Sequence, residues 1–236
     1  MADPDRALIV MPTYNEVDNL AAILPAIHGE LPEAHILVVD DGSPDGTGRL
    51  ADQLSSRDPR IHVLHRSGKL GLGTAYIAGF RYALAHGYQY VFEMDADFSH
   101  DPRYLPALLA SGQRGIGLTL GSRYVKGGGT RNWGLGRQLI SRGGGLYART
   151  ILGIKVRDMT AGYRCYRREV LAALDLHAIR SEGYSFQIEM TYRVIQAGFR
   201  VEEIPIVFED RRVGQSKMSR RIFMEALLAV WRLRLG

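Results

Sequence analysis

Cysteine is almost absent from this chain: Cys165 is the only one in 236 residues. A single thiol closes no internal disulfide and builds no cysteine metal cluster, and this usage fits the reducing cytosol. Long apolar runs are missing as well. No stretch reaches the about 18 consecutive apolar residues that a membrane span needs, and the N-terminus carries no signal-peptide pattern. There is no G-x-x-x-x-G-K-[ST] phosphate loop, which disfavours a P-loop NTPase. Gly71-Leu-Gly73-Thr-Ala-Tyr76 begins like a dinucleotide fingerprint, but Tyr76 stands where the third glycine belongs and the motif follows the third expected strand, not the first. It reads as a glycine turn opening a helix, and a nicotinamide enzyme is disfavoured with it.

What remains is a globular composition with a basic bias. Hydrophobic residues make up 46% and charged residues 23%, enough apolar surface at this length for one well-buried core. The net charge is +5, with the excess in Arg123 to Arg149 and Arg211 to Arg234. A basic chain whose acids gather at strand ends suggests an anionic ligand or an anionic surface.

The hydrophobic pattern alternates between short apolar runs and helical spacing. Ala7 to Met11, His35 to Val39, Ile61 to Leu64 and Tyr90 to Met94 read as strands, with helices between them, the last over Gly71 to Ala85. Asn15 or Asp18 is placed to cap the first helix. Such alternation predicts right-handed βαβ units, a parallel sheet and an α/β fold, with ligands outside the carboxyl ends of the strands. Farther on, Tyr104 to Leu109, Arg137 to Ile151 and Ser185 to Ala197 read as helices. Leu118 to Gly121 and Tyr163 to Arg167 read as strands, Lys126 to Thr130 as a flexible connection, and Arg200 to Phe208 as an extended stretch that Pro205 places at an edge. No repeat or long linker interrupts the chain, so one domain is expected.

The polar motifs fall at those strand ends: Pro12-Thr-Tyr-Asn-Glu16, Asp40-Asp-Gly-Ser-Pro-Asp-Gly-Thr47 and Asp95-Ala-Asp-Phe-Ser-His100. Asp95 and Asp97 point the same way along an extended chain, and their hard oxygens suit Mg²⁺ or Mn²⁺, whose shell a diphosphate completes. His100 is either a third ligand or a hydrogen-bonded loop histidine. A carboxylate at Asp40-Asp41 either accepts from a base N–H or ribose hydroxyl, or caps and turns the loop. Tyr14 either stacks on a base or is buried.

Together these segments, with Gly121-Ser-Arg-Tyr-Val-Lys-Gly-Gly128, Asn132-Trp133, Arg137 and a late Arg211…Gln215-Ser-Lys217, resemble the family-2 glycosyltransferases of GT-A (Rossmann-like) fold. The likeness covers almost the whole chain and is strongest to the branch that transfers mannose to polyprenol (dolichol) monophosphate. The resemblance implies that Pro12, Tyr14, Glu16, Val39 and Asp41 hold the guanosine of GDP-mannose. It implies that Asp95, Ala96 and Asp97 form the metal–diphosphate segment, with Asp97 the direct ligand and Asp95, Asp97 and Arg123 the catalytic set. Arg123, Arg137, Arg211 and Lys217 match basic positions that serve the phosphates, Arg123 and Arg137 facing that of the acceptor. Some relatives have Gln where Ser99 stands, so Ser99 is a shorter candidate metal ligand.

A lipid phosphate is already anionic near neutral pH, so its oxygen needs little or no general base. The tasks left are to position it behind the anomeric carbon and to stabilise the departing diphosphate. One displacement inverts the centre and gives a β-linked mannosyl phosphate. UDP-glucose or UDP-N-acetylglucosamine as donor, and a sugar-phosphate nucleotidyltransferase, are the competing readings. A lipid- or nucleic-acid-binding module is disfavoured because strand-end aspartates repel phosphate unless a cation is bound. Residues 1–219 are taken as the transferase domain. Residues 220–236 form an amphipathic segment, Arg-flanked with Trp231 at one end, that either lies in an anionic membrane interface or packs on the domain. A peripheral location on the cytoplasmic face of a membrane is expected.

Overall fold

A computed structural model describes residues 6–179, 181–209 and 220–235. Four parallel strands carry the first half: β1 (Ala7–Thr13), β2 (His35–Asp40), β3 (Ile61–His65) and β4 (Tyr90–Glu93), separated by α1 (Val17–Glu30), α2 (Thr47–Ser55) and α3 (Leu72–Ala85). A 3₁₀ turn at Pro102–Tyr104 leads into α4 (Leu105–Gln113) and β5 (Leu118–Ser122). Then come β6 (Gly129–Arg131), α5 (Leu135–Leu152), β7 (Arg164–Arg167), α6 (Arg168–Ala173) and α7 (Gly183–Gln196). β8 (Val201–Pro205), β9 (Val207–Glu209) and α8 (Arg220–Leu235) complete the described elements.

The main sheet has seven strands in the order β3-β2-β1-β4-β7-β5-β8. Only β7 runs antiparallel, between β4 and β5, so β5 and β8 point the same way as the first four strands. The expected α/β, mostly parallel sheet is therefore observed, and its order reverses between β1 and β4, the place outside whose strand ends sheets of this kind bind ligands. Pro205 ends the edge strand β8, as its missing N–H requires. The stretch expected to be extended over 200–208 forms two strands that divide at Ile206. Ile206 N–H donates to Ser122 O while its carbonyl accepts from Gly129 N, and β9 then pairs with β6 in a separate two-stranded sheet. The stretch expected to be a flexible connection thus gives up Gly129 and Thr130 to a strand.

Because the strands are covered on both faces, successive residues serve different layers. Leu8 and Val10 face one core with α3 and α5 to α8, whereas Ile9 and Met11 face the other with α1, α2 and α4. Gly79 lets α3 lie directly on β1: a Cβ there would overlap the methyl groups of Val10. The cap of α1 differs from expectation. Neither Asn15 nor Asp18 supplies it; Asp45, from the loop after β2, accepts from Val17 N at 3.2 Å, and Thr47 Oγ1 accepts from Glu16 N at 2.9 Å. Asn15 instead takes a left-handed turn (φ 61°), with its N–H donating to Ser43 Oγ. α8 packs on α5 and α7 through buried Val230, while Leu228, Trp231 and Leu235 remain exposed.

Candidate active site

The loops after β1, β2 and β4 and the residues following β5 meet on one edge of the sheet. Asp41 N–H donates to Thr13 O, and Thr13 Oγ1 donates to Asp40 Oδ1, so the first two strand ends are stitched together. Asp40 is buried and also accepts from Ser43 N and Ser43 Oγ, which makes it the holder of its own loop. Asp41 accepts from Arg66 Nε at 2.6 Å, Arg66 Nη2 at 2.8 Å and Leu70 N at 3.2 Å. Lys69 Nζ lies 4.2 Å from the centroid of the Tyr14 ring. Val39 and Pro12 pair in the ladder beneath these residues, and Glu16 ends the β1 loop at the start of α1.

β4 stops at Glu93, so Asp95 and Asp97 stand on a bent loop, not on a continuing strand. Phe98, at φ 61°, makes the sharpest part of that bend. Asp95 Oδ1 accepts from the hydroxyl of buried Tyr76 at 3.2 Å, and Asp95 N–H donates to His100 Nδ1 at 3.0 Å. His100 is buried, stacked on Tyr163 with centroids 4.9 Å apart, and acts as a hydrogen-bonded loop histidine. Asp97 is 5% exposed and accepts from Ser99 N at 3.0 Å. Among the described residues Ser99 Oγ is buried with no hydrogen-bond partner, an uncommon state for a hydroxyl. Ala96 is buried between the two aspartates.

A buried polar network underlies this loop. Glu93 accepts from Tyr166 Oη at 2.8 Å and from Gln187 Nε2 at 2.6 Å, and Arg164 Nη1 donates to Tyr166 Oη. Burial pushes the Glu93 carboxyl up to about 7, against the opposing pull of Arg164.

Arg123 leaves β5 into an aromatic box, with Tyr124, Trp133 and Phe208 rings 5.3, 5.3 and 5.5 Å from its guanidinium. Its Nε and Nη2 pair with Asp158 at 2.7 and 2.6 Å, and both side chains are buried. Burial works against the cation, but Asp158 more than offsets it, so Arg123 titrates above the ordinary arginine range. Arg137, on α5, also lies over the Trp133 ring, 4.1 Å from its centroid. Phe208 touches both Trp133 and His100, which links the Arg123–Arg137 group to the Asp95 loop. Arg211 and Lys217 lie outside the described residues.

The structure thus groups Tyr14, Asp41 and Val39 at one end of the edge, Asp95 to Ser99 at its middle, and Arg123 with Arg137 at the other end. The sequence assigned no site role to Arg66, Tyr76, Asp158 or Tyr163. Arg66 had a signal, a basic residue just past a strand end; the other three are fixed by tertiary contact alone. Among the described residues no group of three His, Cys, Asp or Glu side chains converges as a ready-made metal cage. The donor set suits Mg²⁺ or Mn²⁺ nonetheless: a buried carboxylate and a hydroxyl without a partner among the described residues are hard oxygens, and such cations draw the rest of their shell from substrate and water.

This edge, on this sheet order, defines a GT-A sugar-transferring fold. The model of the family "Glycosyl transferase family 2" matches residues 8–175, and the chain belongs to that family. Among curated proteins it is 52% identical over 232 residues to polyprenol monophosphomannose synthase of Mycolicibacterium smegmatis, covering 97% of this chain and 88% of that one. It is 51% identical over 227 residues to undecaprenyl-phosphate mannosyltransferase of Micrococcus luteus, covering 96% and 93%. Among solved structures, glucosyl-3-phosphoglycerate synthase from Mycobacterium tuberculosis, crystallised with Mn²⁺, UDP-glucose and phosphoglyceric acid, superposes with a TM-score of 0.68 at 20% identity over 96% of this chain and 80% of that one. A mannosyltransferase from Pyrobaculum calidifontis, in complex with GDP-mannose and Mn²⁺, gives 0.55 at 15% identity over 98% and 75%.

Proposed function

We propose that the chain transfers mannose from GDP-mannose to a polyprenyl monophosphate with inversion, giving a polyprenyl β-mannosyl phosphate. The observation that carries this reading is identity above half, along nearly the full chain, to two proteins named for mannosyl transfer to polyprenyl phosphates. The site supports it: a nucleoside end at Tyr14 and Asp41, a loop of hard oxygens at Asp97 and Ser99, and two arginines beyond it.

In this reading Asp41 accepts from the base and Tyr14 stacks on it, while Pro12, Glu16 and Val39 frame the nucleoside. Asp97 and Ser99 would hold Mg²⁺ or Mn²⁺, which when bound offsets charge on the diphosphate; Asp95, held by Tyr76, borders the same place. Arg137 and Arg123 orient the acceptor phosphate, and Asp158 keeps the Arg123 fork from turning. Arg211 and Lys217 add charge for the phosphates. No side chain has to remove a proton, because the attacking oxygen is already anionic.

No helix among the described residues is long and apolar enough to cross a membrane. α5 presents Leu135, Leu139, Ile140 and Leu146 to solvent, and α8, packed beside it, presents Leu228, Trp231 and Leu235. With Arg142, Arg232 and Arg234 exposed among them, this face suits peripheral contact with an anionic membrane surface on the cytoplasmic side. Residues 1–219 then form the transferase domain and 220–236 an interfacial segment.

The test is incubation of the protein with Mn²⁺, polyprenyl phosphate and labelled GDP-mannose or UDP-sugars, scoring label in the lipid phase and the anomeric configuration of the product. β-Linked mannose from GDP-mannose is expected. Transfer from a UDP-sugar alone, or an α-linked product, overturns the donor or the inversion respectively.

A further inference from the structure

The glycine segment between β3 and α3 reads in sequence as nothing more than a helix-opening turn, yet it runs over the nucleoside end of the site. Its start is fastened to Asp41 through Arg66 and the Leu70 amide. Gly42, in the left-handed region at φ 68°, lies against it so closely that a Cβ would stand 3.3 Å from Gly68 Cα. Its end is fastened by Gly73 N–H donating to Glu182 Oε2 at 3.0 Å, a contact across 109 residues. Lys69 and Leu70 form the exposed crest, and Lys69 places its ammonium on the face of Tyr14.

We propose that Lys69 is a specificity-determining residue for the donor, with its ammonium reading the acceptor edge of a guanine base. The inference rests on the guanine-nucleotide donor proposed above. A base that stacks on Tyr14 and offers its N–H to Asp41 takes the ring face that Lys69 now covers. An exposed cation–π contact is weak, and a charge-assisted hydrogen bond to a base oxygen is stronger, so the ammonium moves from the ring to the base. Guanine carries O6 and N7 side by side, two acceptors that one ammonium spans, and lysine is among the commonest readers of that edge. Uracil has a carbonyl oxygen but no such neighbouring nitrogen. In the order β3-β2-β1-β4, Lys69 reaches Tyr14 from the β3 side, whereas Asp95 and Asp97 follow β4 on the other side of β1. The ammonium therefore serves the base end of the donor, not its diphosphate.

Titration calorimetry of GDP and of UDP, each with Mn²⁺, into wild type, Lys69→Met and Lys69→Arg tests this. Lys69 is exposed, so an unchanged melting temperature is expected for both variants. Lys69→Met is expected to weaken GDP about tenfold and UDP about twofold at most, with Lys69→Arg retaining most of the GDP affinity. Equal losses for both nucleotides, no loss, or a gain overturn the assignment of Lys69 while leaving the donor proposal standing. A wild type that binds UDP as tightly as GDP overturns the donor proposal, and this inference with it.

Discussion

Two pairs of aspartates end two strands of the same sheet, and in sequence they look alike. Asp40 and Asp41, after β2, are held from within: two hydroxyls and an amide meet Asp40, and a guanidinium and an amide meet Asp41, which leaves Asp41 able to accept from one donor more. After β4, Asp95 accepts from a phenol and has His100 Nδ1 3.9 Å from its other oxygen, Asp97 accepts from a backbone amide, and beside them stands a Ser99 hydroxyl with no partner among the described residues. The first pair has its charge met by the protein. The second sits in a loop whose leftover oxygen chemistry suits a divalent ion. Two carboxylates at a strand end therefore do not by themselves indicate a metal: Asp40 and Asp41 organise their own loop, whereas beside Asp97 a hydroxyl is left over among the described residues.

Breaking the second pair has the largest expected effect. Asp97→Ala is expected to lower metal-supported transfer about a thousandfold with little change in melting temperature. Initial rates across a Mn²⁺ series check it, and near-normal turnover would remove Asp97 from the site. Breaking the first pair acts on the fold instead. Both Arg66 and Asp41 side chains are 9% exposed, so Arg66→Met leaves a largely buried carboxylate uncompensated and is expected to cost about 3 kcal/mol of stability, read by urea denaturation. Its residual activity should keep the wild-type Mn²⁺ dependence; a shifted dependence would mean that the two pairs do not have separate jobs.

The smallest effect lies at the opposite edge of the sheet. His35 Nδ1 is 2.9 Å from His62 Nε2 and from Tyr88 Oη, with Arg6 stacked on Tyr88. Burial first, then Arg6 and His62, brings His35 down to about 4. Its stabilising contribution is thus complete above the unfolded value near 6.5 and is lost as pH falls towards 4. Glu93, raised to about 7, works the other way across part of the same window, since the folded form holds its proton longer. The difference between wild type and His35→Asn isolates the histidine: urea midpoints at pH 7.5 and 5 should converge less steeply in the variant. Equal slopes would show that His35 is solvated like any surface imidazole.

Much of this was legible in the chain. β1, β2 and β4 stand out because strands buried on both faces are apolar nearly throughout, and the polar motifs interrupt them at their carboxyl ends. The antiparallel insertion of β7 was not legible, because strand direction depends on partners distant in sequence and leaves no local period. β6, β9 and α6 are too short to show one. At the site, residue types at strand ends were readable, but their partners were not: Asp158 reaches Arg123 across 35 residues and Tyr76 reaches Asp95 from a neighbouring helix.

Gly79 carries a consequence for the chemistry one helical turn away. With no side chain at that point, α3 rests on Val10, and the hydroxyl of Tyr76 comes up beneath Asp95 at the height this resting depth allows. A methyl group at position 79 would lift the helix and transmit the lift to the aspartate loop. The tolerance to which that loop is held is therefore set in the core, by an atom the sequence leaves out.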